Sequence, residues 1–88
     1  MNTFTIRGEA AELRWGYHLA ATLNDWTFTP GSSSITVTAR VVSSDAFRVS
    51  QRPIVFAVQR PHMVWRWPVL SLQIVDGALS ASLGPQED

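Results

Sequence analysis

The stretch QRPHMVWRWPVL, Gln59–Leu70, holds the side chains best suited to recognition: two tryptophans, two arginines and a histidine within twelve residues. Tryptophan offers a large flat ring with one polar group, and arginine offers a planar fork for paired hydrogen bonds and for stacking. The same composition is also compatible with a hydrophobic core that carries a few polar residues. The stretch therefore has two interpretations, a recognition surface or a buried strand.

On a strand, Trp65 and Trp67 share one face, and Arg66 lies on the other. The core interpretation is favoured, because a small domain must bury large side chains, and Trp15 and Trp26 would complete the same cluster. The recognition interpretation makes this region a partner-binding site. Its candidate residues are Arg48, Arg52, Arg60, His62, Trp65, Arg66 and Trp67.

Catalytic and metal chemistry find little support. The chain has no cysteine, and its only histidines, His18 and His62, come from distant segments. The carboxylates are scattered, and neither a glycine-rich phosphate loop nor a nucleophile elbow is present. A metal site would need three or four converging ligands. We therefore expect no enzyme, no metal and no cofactor.

The formal net charge of zero hides an uneven distribution. Residues 40–66 contain five arginines and one aspartate, a charge of +4, whereas residues 67–88 contain three carboxylates and no arginine. The chain contains no lysine, which excludes lysine Schiff-base and general-base chemistry. Replacement of lysine by arginine is also typical of proteins from G+C-rich genomes. Arginine next to tryptophan is typical of protein interfaces.

Two functions of different classes follow from these residues. The first is a non-catalytic protein-interaction or assembly module, one form of which is self-association through an edge strand with Thr36, Thr38 and Arg40 exposed. The alternative is a small barrel that binds single-stranded nucleic acid by stacking bases on Phe56, Trp65 and Trp67. Phosphate binding favours a net basic domain. The deciding feature is whether the arginines of residues 48–66 converge on one face.

Strand signals occur along the whole chain. TFTIR and ITVTARVV alternate between apolar and polar residues, AFRVSQ repeats the pattern, and IVFAV, residues 54–58, is apolar throughout, as in a central strand covered on both faces. Residues 13–23 also alternate, with apolar residues at every odd position. We predict one strand there with a bend at Gly16, and the alternative is a helix, because EAAEL contains good helix formers.

The pair Asp76-Gly77 predicts a two-residue type I′ hairpin turn. Folding about it pairs Val75 with Ala78, Ile74 with Leu79, Leu72 with Ala81 and Leu70 with Leu83, with Leu70 on the buried face. The apolar positions switch from odd to even numbers between Trp67 and Leu70, which predicts a bulge or bend at Pro68.

The fold class is therefore all-β: one domain over residues 1–84, built as a small barrel or a rolled two-layer antiparallel sheet, with a frayed acidic tail at 85–88. No signal peptide or apolar membrane span is apparent, so we expect a cytoplasmic protein with a protein partner and no small-molecule substrate. The compact size and the lack of lysine resemble phage or prophage accessory and structural proteins, which is an alternative setting.

Overall fold

The computed structural model describes residues 4–6, 10–45 and 53–87, and in these ranges it contains seven strands and no helix. The all-β prediction is confirmed, and the predicted strand AFRVSQ lies outside the described residues. The strands are β1 (Phe4–Ile6), β2 (Ala11–Trp15), β3 (His18–Pro30), β4 (Ile35–Ser44), β5 (Ile54–Gln59), β6 (Val64–Val75) and β7 (Ala78–Leu83).

Six of these strands close into an antiparallel barrel. The order β3-β2-β5-β6-β7-β4 returns to its start because β4 also pairs with β3, while β1 pairs with β3 beside β2. The barrel is thus the correct one of the two predicted architectures. Thr36, Thr38 and Arg40 are exposed as expected, yet β4 is bonded on both sides along this stretch. Self-association through an edge strand at these residues is therefore contradicted, because closure has already paired their backbone.

The barrel interior is a cluster of aromatic rings surrounded by aliphatic side chains. Trp26, Phe28, Phe56 and Trp67 are all buried, and the centroid of the Phe28 ring lies 4.9 Å from Trp26, 5.6 Å from Phe56 and 4.8 Å from Trp67. Edge-to-face and tilted pairs at these distances gain electrostatic attraction beyond the area they bury. β5 carries Phe56 at the middle of this cluster, and its burial on both faces matches the prediction for IVFAV, apart from half-buried Val55.

A bulge in β3 brings the tryptophan and phenylalanine of that strand into the interior. Leu23 faces inwards, and strict alternation would next turn residues 25 and 27 inwards. Asp25 instead adopts a left-handed conformation, φ 53°, at a shift in the β3–β4 register. The extra residue moves the inward positions to Trp26 and Phe28.

The β2–β3 hairpin replaces the single bent strand that the alternation of residues 13–23 predicts. Trp15 pairs with His18, so the chain reverses at Gly16-Tyr17, and Gly16 has the positive φ of 65° that a type II′ turn requires at this place. The helix alternative is also wrong, because Ala11–Trp15 is a strand.

Two irregularities cancel in this hairpin and preserve the odd-numbered pattern. The two-residue turn moves the inward positions to even numbers, and a bulge at Ala20 moves them back to Ala21 and Leu23. Between the two, Tyr17 and Leu19 are left on the outside, with Tyr17 fully exposed. Their predicted place on the buried face is therefore wrong.

The C-terminal hairpin is confirmed in its turn and in most of its register. Asp76 and Gly77 both have positive φ, 53° and 77°, as a type I′ turn requires. The three predicted pairs nearest the turn are present, but Leu83 pairs with Val69 rather than with Leu70. The predicted bulge exists at Leu70, two residues beyond Pro68, and leaves Leu70 exposed.

The acidic tail, which the sequence predicts to be frayed, pairs with β6 at residue 87. The amide of Gly84 donates to the carbonyl of Pro68, and the amide of Glu87 donates to the carbonyl of Arg66, each at 2.8 Å. This segment continues the direction of β7 along β6.

We expect Gly77→Val to destabilise the protein by about 1–2 kcal/mol, because a β-branched residue is strained at this positive φ. Chemical denaturation measures the difference, and Gly77→Asn is the matched control, because asparagine tolerates the left-handed region. If both variants unfold like the parent, the turn geometry is wrong.

We expect Asp25→Val to lower the free energy of unfolding by about 1–2 kcal/mol for the same conformational reason, and to loosen the packing of Trp26. Tryptophan fluorescence during urea unfolding reports both effects, with Asp25→Asn as the control that keeps the bulge. An unchanged midpoint for Asp25→Val would mean that the bulge does not determine the position of Trp26.

Candidate functional site

Five of the seven candidate residues lie in the described part of the chain, and they do not form one cluster. Arg48 and Arg52 fall outside the described residues, so their place relative to the others stays a prediction. The five others belong to β6 and to the turn before it, in which the amide of Arg60 donates to the carbonyl of Met63 at 2.8 Å. His62 lies in this turn and is exposed.

Trp67 is a core residue. Its side chain is only 5% exposed, and its ring packs edge-to-face on Phe28 at 4.8 Å between centroids and beside Phe56 at 6.0 Å. A partner cannot reach this ring without opening the barrel. Trp67 is therefore not a partner-binding residue. The core interpretation is correct for this side chain, because the largest side chains supply most of the buried area in a small domain.

Trp65 lies one step further along the inner face of β6, where the barrel interior ends. It is half-buried and lies 6.3 Å from Trp67 in an edge-to-face arrangement. The guanidinium carbon of Arg60 lies 4.3 Å from the centroid of the Trp65 ring, within the range of a cation–π interaction. This contact covers one face of the indole.

Arg66 points in the opposite direction, to the outer surface of the barrel. It is exposed, and the ion pairs found among the described residues do not include it. Arg60 contacts a ring of the inner face, whereas Arg66 belongs to the outer face. These two arginines therefore do not converge, which removes part of the basic groove on which the nucleic-acid hypothesis depends.

The outer surface around Arg66 is a groove that crosses three strands, and we call it the β2–β5–β6 face. In register, Glu12 lies opposite Ala57, and Ala57 lies opposite Arg66. Ala57 is the small residue at the centre and is only 3% exposed although it points outwards. The lining residues are Glu12, Arg14, Gly16, Tyr17, Val55, Ala57, Gln59, Val64 and Arg66.

One wall of this groove is held in place by local hydrogen bonds. Nε of Arg14 donates to Oε1 of Glu12 at 3.0 Å, and Nη1 of Arg14 donates to the carbonyl of Tyr17 at 3.4 Å. Arg14 therefore links β2 to the turn that presents Tyr17. The floor, Val55 and Ala57, is apolar. The groove thus combines an apolar floor, an exposed aromatic ring and two arginines.

Sequence reasoning did not find Tyr17, Arg14 or the Val55–Ala57 floor. Tyr17 was assigned to a buried strand because the odd-numbered pattern continued through it. The dipeptide Gly16-Tyr17 is the signal that would have predicted an exposed Tyr17. Glycine at the first of the two positions is typical of a type II′ hairpin turn, and the tip of such a turn is exposed. The floor had no signal, because IVFAV is uniformly apolar and only cross-strand neighbours show which of its residues face outwards.

A second polar contact was also missed. Nε2 of His18 and Oδ2 of Asp45 lie 2.8 Å apart, and the Trp15 ring meets the histidine edge-on at 6.0 Å between centroids. Both polar side chains are more than half exposed, so the pair resembles the exposed ion pairs that contribute about 0–1 kcal/mol. The arrangement therefore ties the end of β4 to β3.

On the opposite side of the barrel, the outer face of β4, β7 and β6, exposed Arg40 and Val75 lie close to the Asp76-Gly77 turn. Further from that turn, the outward positions hold short polar side chains in cross-strand register. They are Thr36, Thr38, Ser71, Gln73, Ser80 and Ser82. This matches the wet side predicted for the C-terminal hairpin, and such a face is readily solvated.

Residues 4–6, 10–45 and 53–87 contain no group of three histidine, aspartate or glutamate side chains that could hold a metal ion. The same ranges contain no helix with the length and apolar character needed to cross a membrane.

Comparison with known proteins does not assign the chain to a family. No family model matches it, and searches of curated proteins and of solved structures gave no significant match. Function must therefore be inferred from the geometry and chemistry of the chain itself.

Replacing Trp67 by alanine should cost about 3–5 kcal/mol, the range for truncating a buried aromatic residue. Arg66→Ala should change the free energy of unfolding by less than about 0.5 kcal/mol, because the side chain is exposed. Thermal and urea unfolding followed by circular dichroism compare the two variants. Equal losses would contradict the assignment of these neighbours to opposite faces of β6.

Proposed function

We propose that this protein is a non-catalytic protein-interaction module and that its contact surface is the β2–β5–β6 face. The observation that carries the proposal is the fully exposed Tyr17 ring beside Arg14 and Arg66, across an apolar floor of Val55 and Ala57. Tyrosine and arginine are enriched in protein interfaces and dominate their binding energy.

The β2–β5–β6 face suits a partner because each chemical component is present. Half-buried Val55 supplies apolar area that a partner can remove from water, whereas Ala57 is already buried and gives the groove its depth. Tyr17 supplies a rigid amphipathic ring with few rotatable bonds. Arg66 supplies donors for a carboxylate or a carbonyl group on the partner. All of these residues except Tyr17 stand on paired strands, so little backbone ordering is needed on binding.

The face of β4, β7 and β6 supports binding much less well. Its exposed Val75 lies at the Asp76-Gly77 turn, it carries no aromatic ring among the described residues, and its other outward side chains are mostly short hydroxyl and amide groups. Groups of this kind lose well-ordered water on contact and return little apolar burial. The contrast between the two faces is why we assign the interaction to one side of the barrel.

The nucleic-acid alternative is less well supported. Two of its three stacking residues, Phe56 and Trp67, are at most 5% exposed, and the third, Trp65, already contacts Arg60. Single-strand binding depends on accessible aromatic faces along a basic groove. The phage or prophage setting stays a prediction.

The test is site-specific photo-crosslinking in cells that express the protein. Tyr17→p-benzoylphenylalanine places the probe on the β2–β5–β6 face, and Gln73→p-benzoylphenylalanine places it on the opposite side as the matched control. We expect a protein adduct at discrete mass from position 17 and none from position 73. Combining Arg66→Ala with the position 17 probe should reduce the adduct about tenfold or more, because an arginine hot spot is worth about 2 kcal/mol.

Circular dichroism must show that Arg66→Ala stays folded. Any of three results would contradict the proposal: no adduct from position 17, the same adduct from both positions, or an adduct whose yield is unchanged by Arg66→Ala.

A further inference from the structure

Beyond the end of β7, residues 84–87 lie along β6 as a short additional strand segment. The amide of Gly84 donates to the carbonyl of Pro68, the amide of Glu87 donates to the carbonyl of Arg66, and Glu87 and Arg66 form an antiparallel bridge. β7 itself pairs with β6 only from Val69 onwards. Residues 84–87 therefore cover the part of the β6 edge that β7 does not reach.

The two ends of this segment are held very differently. Gly84 is buried, and a Cβ atom there would lie 3.0 Å from Cγ of Pro68, so this end is closely packed. Pro85, Gln86 and Glu87 are all exposed, and proline has no amide to donate. At the outer end, backbone pairing is limited to the bridge between Glu87 and Arg66, which includes the 2.8 Å hydrogen bond from the Glu87 amide. Exposed hydrogen bonds of this kind add little net stability.

Removing residues 85–87 from β6 would uncover a sheet edge. The carbonyl of Arg66 points to this side, and in an antiparallel strand the amide of the same residue points with it. The alternation of the strand directs the amide and carbonyl of Val64 the same way. Unpaired groups in this arrangement bind an added strand from another chain.

We propose that residues 85–87 form a displaceable strap over a strand-docking site on β6. The occupant is an extended segment of a partner protein, running antiparallel to β6 with a carboxylate side chain opposite Arg66. This inference rests on the proposed function and specifies how the partner would bind beside the β2–β5–β6 face.

The register of the strap is the reason for choosing an acidic strand. Glu87 occupies the position directly opposite Arg66, and opposite charges at directly opposed positions stabilise a strand pair. The guanidinium of Arg66 nevertheless has no carboxylate within ion-pair distance among the described residues. A partner carboxylate at the Glu87 position would supply one.

The apparent affinity for an added strand equals the intrinsic affinity multiplied by the fraction of molecules in which the strap is open. A strap closed nine-tenths of the time would raise the apparent Kd about tenfold. Opening the strap should therefore strengthen binding of an added strand, which is the opposite of the usual effect of deleting part of a binding surface.

The experiment measures binding of the peptide acetyl-Thr-Val-Glu-Val-Thr-amide by nuclear magnetic resonance, following the backbone amides of Val64 and Arg66. Four chains are compared: the parent, a deletion of residues 85–88 that keeps Gly84, Glu87→Pro and Glu87→Ala. Glu87→Pro removes the amide that holds the strap, and Glu87→Ala keeps it. The peptide with lysine in place of glutamate is the charge control.

We expect the deletion and Glu87→Pro to bind the glutamate peptide about tenfold more tightly than the parent and more tightly than Glu87→Ala. The lysine peptide should bind each chain more weakly. Any of three results would overturn the proposal: equal affinity in all four chains, no chemical-shift change at the amides of Val64 and Arg66, or no preference for the glutamate peptide over the lysine peptide. If the deletion does not fold, the comparison of Glu87→Pro with Glu87→Ala decides.

Failure of the strap proposal and failure of the proposed function give different results. A Tyr17 adduct that depends on Arg66, together with no peptide binding at the β6 edge, would retain the interaction module and remove strand addition as its mode. Peptide binding at the β6 edge without any adduct from position 17 would retain strand docking and remove the β2–β5–β6 face as the contact surface.

Discussion

The packing of four aromatic rings inside a closed six-stranded barrel is the constraint on which the rest of the structure depends. An 88-residue chain has little interior, and rings of this size supply much of the apolar area that it can bury. Trp26, Phe28, Phe56 and Trp67 must therefore all point inwards at the same level of the barrel. Strict alternation along β3 would not allow this, and the bulge at Asp25 is the local adjustment that does.

The same constraint determines which residues remain for recognition. Four of the aromatic side chains in the described ranges are buried in the barrel, whereas Tyr17 is fully exposed at a hairpin tip where no strand covers it. Small Ala57 lies between the longer Glu12 and Arg66 in cross-strand register, so the outer surface forms a groove there. The candidate interface is thus a consequence of how the core was filled.

Alternation along the chain indicated most strands correctly, because apolar and polar residues must separate across any sheet that has one wet face. It failed at irregularities, where a turn or a bulge adds one residue and reverses the inward positions. The turn at Gly16 and the bulge at Ala20 cancel each other, so the pattern in residues 13–23 looked continuous although the chain reverses within it. The exposed positions of Tyr17 and Leu19 followed from that hidden reversal.

The sequence by itself determined the all-β class, the Asp76-Gly77 turn with its nearest pairs, and the opposite faces of Trp67 and Arg66. These depend on local rules, such as period-two alternation and the positive φ that the turn demands. Only the tertiary structure decided the closure of β4 onto β3, the pairing of residues 84–87 with β6, and the meeting of Arg14, Tyr17 and Arg66 around one groove. These contacts join residues far apart in the chain, and their register depends on the combined packing of all the strands.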